Sequence, residues 1–133
     1  MRLKSQRGVA AVEFAIVLPV LVLLLFGAIE FGLLLYNQQV ITNASREGAR
    51  AGIVSQSPRV SDAQITGVVT SYCAGNLVTF GVPNVPIAAV TRTGNTFQSD
   101  LTVDVTYDYS FLVLGNLGFG PRTLRARAVM KME

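Results

Sequence analysis

An apolar run that is almost free of charge follows Gly8, and it limits the chain to folds that include a membrane-length helix. From Phe14 to Ile29 there are sixteen residues without a charge, and extending the count to Leu35 adds only Glu30. A helix rising 1.5 Å per residue over this length can cross the roughly 30 Å hydrocarbon layer of a bilayer. We therefore predict a membrane-spanning helix over residues 9–36.

A short basic leader, residues 1–8, precedes this run and carries Arg2, Lys4 and Arg7. The positive-inside bias places the leader in the cytoplasm and the rest of the chain across the membrane. A conventional secretory signal is cut after its apolar part, whereas the plausible site here, Gly8–Val9, lies before it. Cleavage there keeps the apolar helix on the mature chain; the alternative is an uncleaved single-pass anchor.

The basic character of the chain, with a sequence pI of ≈ 9.4, belongs to the leader. Removing its three basic residues from 11 Lys and Arg leaves 8, which equals the 8 Asp and Glu. No run rich in Lys or Arg remains, so we expect no nucleic-acid partner.

Glu13 lies near the start of the apolar run, where a charged side chain is energetically unfavourable unless it is paired. A charged side chain at the bilayer centre costs roughly 2.5–3.5 kcal/mol. Cleavage after Gly8 would create an ammonium group at Val9, and the carboxylate four residues on can pair with it or with that of an adjacent subunit. The alternative is that Glu13 sits at the headgroup boundary and favours the helix N-terminus.

Two other residues of the run have physical consequences. Pro19 cannot donate a hydrogen bond to the carbonyl of Ala15, so we predict a kink there. Glu30 lies about 25 Å beyond Glu13 along the axis, near the opposite interface, where we expect either a solvated carboxylate or a contact with another subunit.

The run and the helix that follows it contain a series of short segments that together form a specific pattern: Arg7-Gly8, Val12-Glu13-Phe14-Ala15, Leu18-Pro19, Phe26-Gly27, Glu30-Phe31-Gly32 and Asn43-Ala44-Ser45-Arg46-Glu47-Gly48-Ala49-Arg50. These segments resemble the TadE-like family of pseudopilins, which belong to the tight-adherence (Flp-type) pilus systems of bacteria. The resemblance implies cleavage after Gly8 by a prepilin peptidase, and it gives Glu13 and Phe14 a role in recognition and assembly. Leu33 departs from the pattern, in which a basic residue follows the glycine.

The resemblance implies a minor pseudopilin of the bacterial inner membrane, with its head in the periplasm or in an extracellular pilus. Its partners would be other pilin subunits, the prepilin peptidase, the inner-membrane assembly platform and lipid, with no cofactor. Major pilins of this system are typically much shorter than the 125 residues that cleavage would leave. Two alternatives are an adhesin mounted on the helix and an uncleaved periplasmic scaffold.

Beyond the membrane, residues 37–54 continue the helix in amphipathic form. Arg46, Glu47 and Arg50 lie away from the apolar face, where they contact another subunit or form a solvated, ion-paired surface. Gly52 is expected to end the helix. The predicted apolar face consists of Leu33, Tyr36, Val40, Ala44 and Ala51.

The remainder, residues 55–133, reads as a small α+β head. Ser61-Asp62-Ala63-Gln64 predicts a capping box that opens a short helix ending near Ala74. The region of Pro83 and Pro86 reads as a loop. Cys73 is expected to be a small buried residue, with an intermolecular disulfide as the alternative. The buried face of the short helix is predicted to contain Ile65, Val68, Val69 and Tyr72.

The C-terminal third changes to the period of a β-strand. Alternating apolar residues predict strands over residues 101–110 and 124–132, and residues 87–93 form a plausible third. We expect an antiparallel sheet whose apolar face packs on the helices. Asp104 and Asp108 would then lie opposite Arg125 and Arg127.

The segment Phe111–Pro121 is too apolar for an ordinary surface loop. Burial under the sheet is the preferred interpretation, and a contact surface for another subunit or the membrane is the alternative.

The residues that most enzymes use are missing from the sequence. There is no His, and the single Cys has no base to activate it, so Ser-His and Cys-His nucleophiles are excluded. No spacing typical of metal ligands occurs. We therefore expect an assembly protein that is neither an enzyme nor a metalloprotein.

Overall fold

The computed structural model of the chain describes residues 3–80 and 84–133, with side chains from Gly8 onward. Met1, Arg2, the other leader side chains and Pro83 of the predicted loop lie outside the described residues. A 3-10 turn, Leu114–Leu117, connects the last two strands. The architecture is the predicted α+β fold, with elements α1 (Leu3–Ile53), α2 (Asp62–Asn76), β1 (Ile87–Arg92), β2 (Asp100–Tyr109) and β3 (Arg122–Lys131).

Helix α1 is continuous, and the described side chains of its N-terminal half make no contact with the described part of the head. Every residue from Gly8 to Phe26 is exposed, and the most apolar 18-residue window has a mean hydropathy of 2.8 with none of it buried. The helix passes through Pro19 without interruption, so the kink there stays a prediction. Such a bare apolar rod suggests a membrane anchor, because water disfavours this much exposed hydrocarbon.

The C-terminal half of α1 lies along the sheet and α2, and its apolar face differs from the predicted one. Val40 and Ala44 are buried as expected, but Tyr36 is 47% exposed. The next residue, Asn37, takes the buried position, because one residue turns the helix by about 100° and the segment after α2 lies on the Asn37 side.

The sheet is antiparallel, with strand order β1-β2-β3. Its buried face consists of the alternating apolar positions of β2 and β3, which form one core with α1 and α2. The apolar packing predicted from the two-residue period is therefore confirmed. The buried β2 positions are Leu101, Val103, Val105, Tyr107 and Tyr109.

One of the two predicted cross-strand ion pairs is present. Arg127 lies opposite Asp104, and its Nε is 2.6 Å from the carboxylate Oδ1. The prediction of the second pair is wrong, because the register places Thr123 opposite Asp108. The Thr123 hydroxyl donates a hydrogen bond to that carboxylate at 2.6 Å. Arg125 lies opposite Thr106 instead.

Helix α2 begins with the predicted capping box. The side chain of Ser61 accepts from the Gln64 amide at 3.3 Å, while the Gln64 side chain accepts from the Ser61 amide at 2.9 Å. Cys73 lies fully buried on the inner face, so its prediction as a core residue is confirmed. Burial raises the pKa of its thiol, which keeps the reactive thiolate scarce.

Gly48 brings α1 and α2 into close contact. A Cβ at this position would lie 2.5 Å from Val69 Cγ2 and 3.5 Å from Val103 Cγ1, closer to the former than packed atoms approach. Val69 is fully buried and has no long side chain to swing away. The absence of a side chain at Gly48 thus sets the distance between the two helices.

We predict that Gly48→Ala destabilises the head by about 1–3 kcal/mol, since overpacking a filled core forces neighbours to shift. The measurement is urea unfolding of the full chain in detergent, and the near-ultraviolet circular dichroism of its tyrosines is the signal that reports unfolding.

The matched control is Gly67→Ala on α2, where an added Cβ meets nothing within 4 Å. Alanine there should stabilise by about 0.5–1 kcal/mol, because glycine is a poor helix former. Equal changes in the free energy of unfolding for the two variants would contradict the close contact at Gly48.

Candidate assembly site

All the site residues predicted from the sequence lie on α1. Apart from Pro19, they fall into three separate groups along it, and Glu30 alone is the second group. Gly8, Val9, Glu13 and Phe14 form the first group and are exposed. Val9 and Glu13 are one helical turn apart, so they share a face. The carboxylate of Glu13 is therefore positioned on the same side of the helix as Val9, at the start of this turn.

The third group, Arg46, Glu47 and Arg50, is exposed on the far half of α1. Sixteen residues, or about 24 Å of helix, separate it from Glu30, and a further 17 residues separate Glu30 from Glu13. The structure does not bring the three groups together. A role for Arg46, Glu47 and Arg50 in subunit contacts stays a prediction.

Glu30 is not the solvated carboxylate expected from its position. Its exposed fraction is 2%, and it is one of three buried polar residues of α1 among those described. The prediction of a solvated side chain is therefore wrong. The reason is that the head folds back along α1 and covers this position with the start of the β2–β3 loop, Phe111–Pro121.

The carboxylate of Glu30 binds three consecutive backbone amides of that loop. Oε1 accepts from Leu112 N at 2.5 Å and from Val113 N at 2.6 Å, while Oε2 accepts from Leu114 N at 2.9 Å. Successive N–H groups that point inward form a concavity suited to an anion. The carboxylate of Glu30, which precedes Leu112 by 82 positions in the chain, occupies that concavity.

This contact also completes the 3-10 turn. The first N–H groups of a helical turn have no partner within it, and Val113 at the N-cap makes no side-chain hydrogen bond. The Glu30 carboxylate provides the missing acceptors and places negative charge at the positive end of the turn. The β2–β3 loop is thus fastened to α1 by a charge-assisted cap.

Two aromatic residues, at the end of β2 and just after it, lie next in sequence to the amides that bind Glu30. Tyr109 is fully buried and meets Phe111 edge to face, with ring centroids 5.3 Å apart. Burial first, and then the nearby negative charge of Glu30, raise the pKa of the Tyr109 phenol. The carboxylate therefore lies in an apolar environment, in which its three hydrogen bonds are stronger than they would be in water.

Asn37 makes a second attachment, which the sequence analysis missed. It is fully buried, its Nδ2 donates to Val78 O at 2.7 Å, and its Oδ1 accepts from Val78 N at 3.0 Å. Glu30 and Asn37 are seven residues apart and share a helix face. Polar residues on an otherwise apolar face were the available signal for both attachments.

The β2–β3 loop itself is mostly exposed, contrary to the preferred interpretation of the sequence. Phe111, Val113 and Leu114 are partly covered, but Leu112, Leu117 and Phe119 are 50%, 56% and 59% exposed. Attachment to Glu30 holds the backbone close to α1 and turns these three side chains away from the core. The alternative, an apolar contact surface, fits the observed exposure.

We predict that Glu30→Ala lowers the hydrogen-exchange protection of the Leu112, Val113 and Leu114 amides by about 10- to 100-fold. Leaving a buried amide without a hydrogen-bond acceptor costs about 1–3 kcal/mol of stability. Protection is measured by nuclear magnetic resonance on the full chain in detergent.

Glu30→Gln is the graded variant, since it keeps one acceptor oxygen and turns a donor towards the third amide. Its effect should be smaller than that of Glu30→Ala and largest at a single amide. Val103 and Val105 in the centre of β2 serve as internal controls and should not change. Unaltered protection of the loop amides in Glu30→Ala would show that the carboxylate does not hold the loop.

Comparison with known proteins gives a match over the segment that carries these groups. The model of a family described as TadE-like protein matches residues 8–50, which includes all three groups of site residues. No curated protein and no solved structure matches the chain.

The matched residues end within the buried half of α1, so they include both the bare rod and the attachment points of the head. The resemblance predicted from the sequence is confirmed over this segment. Over this segment the chain is similar to the TadE-like family, and this similarity supports an association with the tight-adherence pilus.

Proposed function

We propose that the chain is a minor pseudopilin of a tight-adherence pilus. A prepilin peptidase cuts it after Gly8 in the inner membrane, and the mature chain joins other pilin subunits through α1. The head stands on the periplasmic side, opposite the basic leader. Other pilus components are its partners, in keeping with a structural, pilus-associated family.

The observation that carries this proposal is the bare half of α1. An apolar helix exposed from Gly8 to Phe26 has no partner within the described residues. In the membrane it is surrounded by lipid, and in a fibre by the same segment of other subunits. Apolar surface is buried in both settings, so one helix can move from the bilayer into the pilus.

Glu13 supplies the specific contact in this proposal. Cleavage after Gly8 frees an ammonium group at Val9, whose ordinary pKa is near 8, so it is charged at neutral pH. The ammonium of one subunit and Glu13 of a neighbour neutralise each other where neither is solvated by water. Removing one partner leaves the other as an uncompensated charge, which is strongly unfavourable.

Enzymatic activity has no place in this function. The protein works by binding through α1, and its head adds a surface to the assembly. Arg46, Glu47 and Arg50 are exposed on the half of α1 next to the head. They are the charged residues of α1 available there for contacts with assembly partners.

The decisive experiment compares the native chain with Glu13→Gln, both produced in the bacterium with its pilus genes. We predict that intact-mass analysis finds both chains beginning at Val9. The native chain should appear in the sheared pilus fraction, whereas Glu13→Gln should stay in the membrane fraction, with about a tenfold loss from pili or more.

Glu133→Gln is the matched control, because it removes an exposed carboxylate from the far end of the head. It should be processed and assembled normally. A native chain that keeps residues 1–8 would overturn the processing step and favour the uncleaved scaffold. Normal assembly of Glu13→Gln would overturn the role of Glu13, and a trimmed chain absent from every pilus preparation would overturn the pilin function.

A further inference from the structure

We propose that the β2–β3 loop is a second membrane contact, in which Leu112, Leu117 and Phe119 enter the surface of the bilayer that α1 crosses. The occupant of this apolar surface is lipid at the headgroup–acyl boundary. The inference rests on the membrane placement of α1 given under the proposed function, and it adds a binding surface for the head.

The level of the loop along α1 is the first argument. Residues 9–29 make about 31 Å of helix, which matches the roughly 30 Å hydrocarbon thickness, so Glu30 falls at the outer boundary. The Glu30 carboxylate lies 2.5–2.9 Å from the amides of residues 112–114. The backbone of the loop is therefore fixed at the depth where the hydrocarbon ends.

The chemistry of the loop is the second argument. Phe111–Pro121 contains no charged residue, and Leu112, Leu117 and Phe119 are at least half exposed. On α1, Phe31 and Leu35 are 59% and 53% exposed just past Glu30. Loop and helix thus both present apolar side chains near one depth, as membrane-surface segments do.

Most amides at the start of the loop have an acceptor within the protein, which lowers the cost of placing this backbone against lipid. The Glu30 carboxylate takes three amides. Asn116 N donates to Val113 O at 3.1 Å, Gly118 N to Gly115 O at 3.2 Å, and Phe119 N to Leu114 O at 3.2 Å. Six amides between Leu112 and Phe119 are therefore already bonded within the protein.

Exposed arginines near the loop favour the same orientation. Arg122 and Arg125 are exposed on the part of β3 nearest the loop, where Arg122 pairs in register with Tyr109. Basic residues close to a membrane interact favourably with anionic headgroups.

The test uses the fact that the chain contains no Trp. Phe119→Trp is prepared in the full chain and reconstituted at low protein-to-lipid ratio in phosphatidylcholine–phosphatidylglycerol vesicles. Separate samples contain lipids brominated near the headgroup end or near the middle of the acyl chain. We predict that Phe119→Trp fluorescence is quenched by both lipids, and more strongly by the shallow bromines.

Two matched variants calibrate the relation between quenching and depth in the bilayer. Phe97→Trp replaces an exposed aromatic residue, 73% accessible, in the β1–β2 turn at the far end of the head. It should show no quenching. Leu21→Trp lies near the middle of the apolar rod and is 58% exposed, so it should be quenched most by the deep bromines.

Each outcome separates the two proposals. Quenching of Leu21→Trp but not of Phe119→Trp overturns the membrane contact of the loop and leaves the anchor intact. Absence of quenching at Leu21→Trp overturns the anchor itself. Unquenched Phe119→Trp fluorescence that shifts to the blue as protein concentration rises assigns the loop to a subunit contact and overturns the lipid contact.

Discussion

The contact between the Glu30 carboxylate and three backbone amides is the interaction on which the rest of the structure depends. It joins a residue of α1 to the connection between the last two strands, 82 positions later. Without it, three amides at the start of the β2–β3 loop would have no acceptor, and this loop would not be attached to α1. With it, the loop is held against the helix at the point where the apolar rod ends.

This attachment divides one helix between two environments. N-terminal to Gly27 every described side-chain position is exposed, and beyond Glu30 one face of α1 is part of a packed core. The buried face uses small residues to let the head approach, above all Gly48 against Val69. The exposed half has no such neighbours and is therefore available to lipid or to identical helices.

Much of the fold could be predicted because local rules and tertiary packing agree. The two-residue period located the strands, and the capping box located α2. The register could not be derived to the residue, because sequence alternation fixes which face is buried but not which residues lie opposite. Asp108 therefore faces Thr123 rather than Arg125.

The candidate site was predicted in part, for a similar reason. The basic leader, Gly8 and Glu13 form a local pattern that can be read without a structure. The role of Glu30 depends on a loop that is distant in sequence and returns to the helix, and a polar residue on an apolar face does not show which segment returns. The same holds for Asn37, whose partner is the backbone of Val78.

The central claim is that the hydrocarbon layer ends at Glu30. Single spin labels on a Cys73→Ala background, at positions 21, 25, 29, 31, 35 and 39 of the vesicle-bound chain, measure this directly. We predict that accessibility to oxygen falls and accessibility to a nickel chelate rises between Ile29 and Leu35. A crossover beyond Gln39, or chelate accessibility at every position, would contradict the claim.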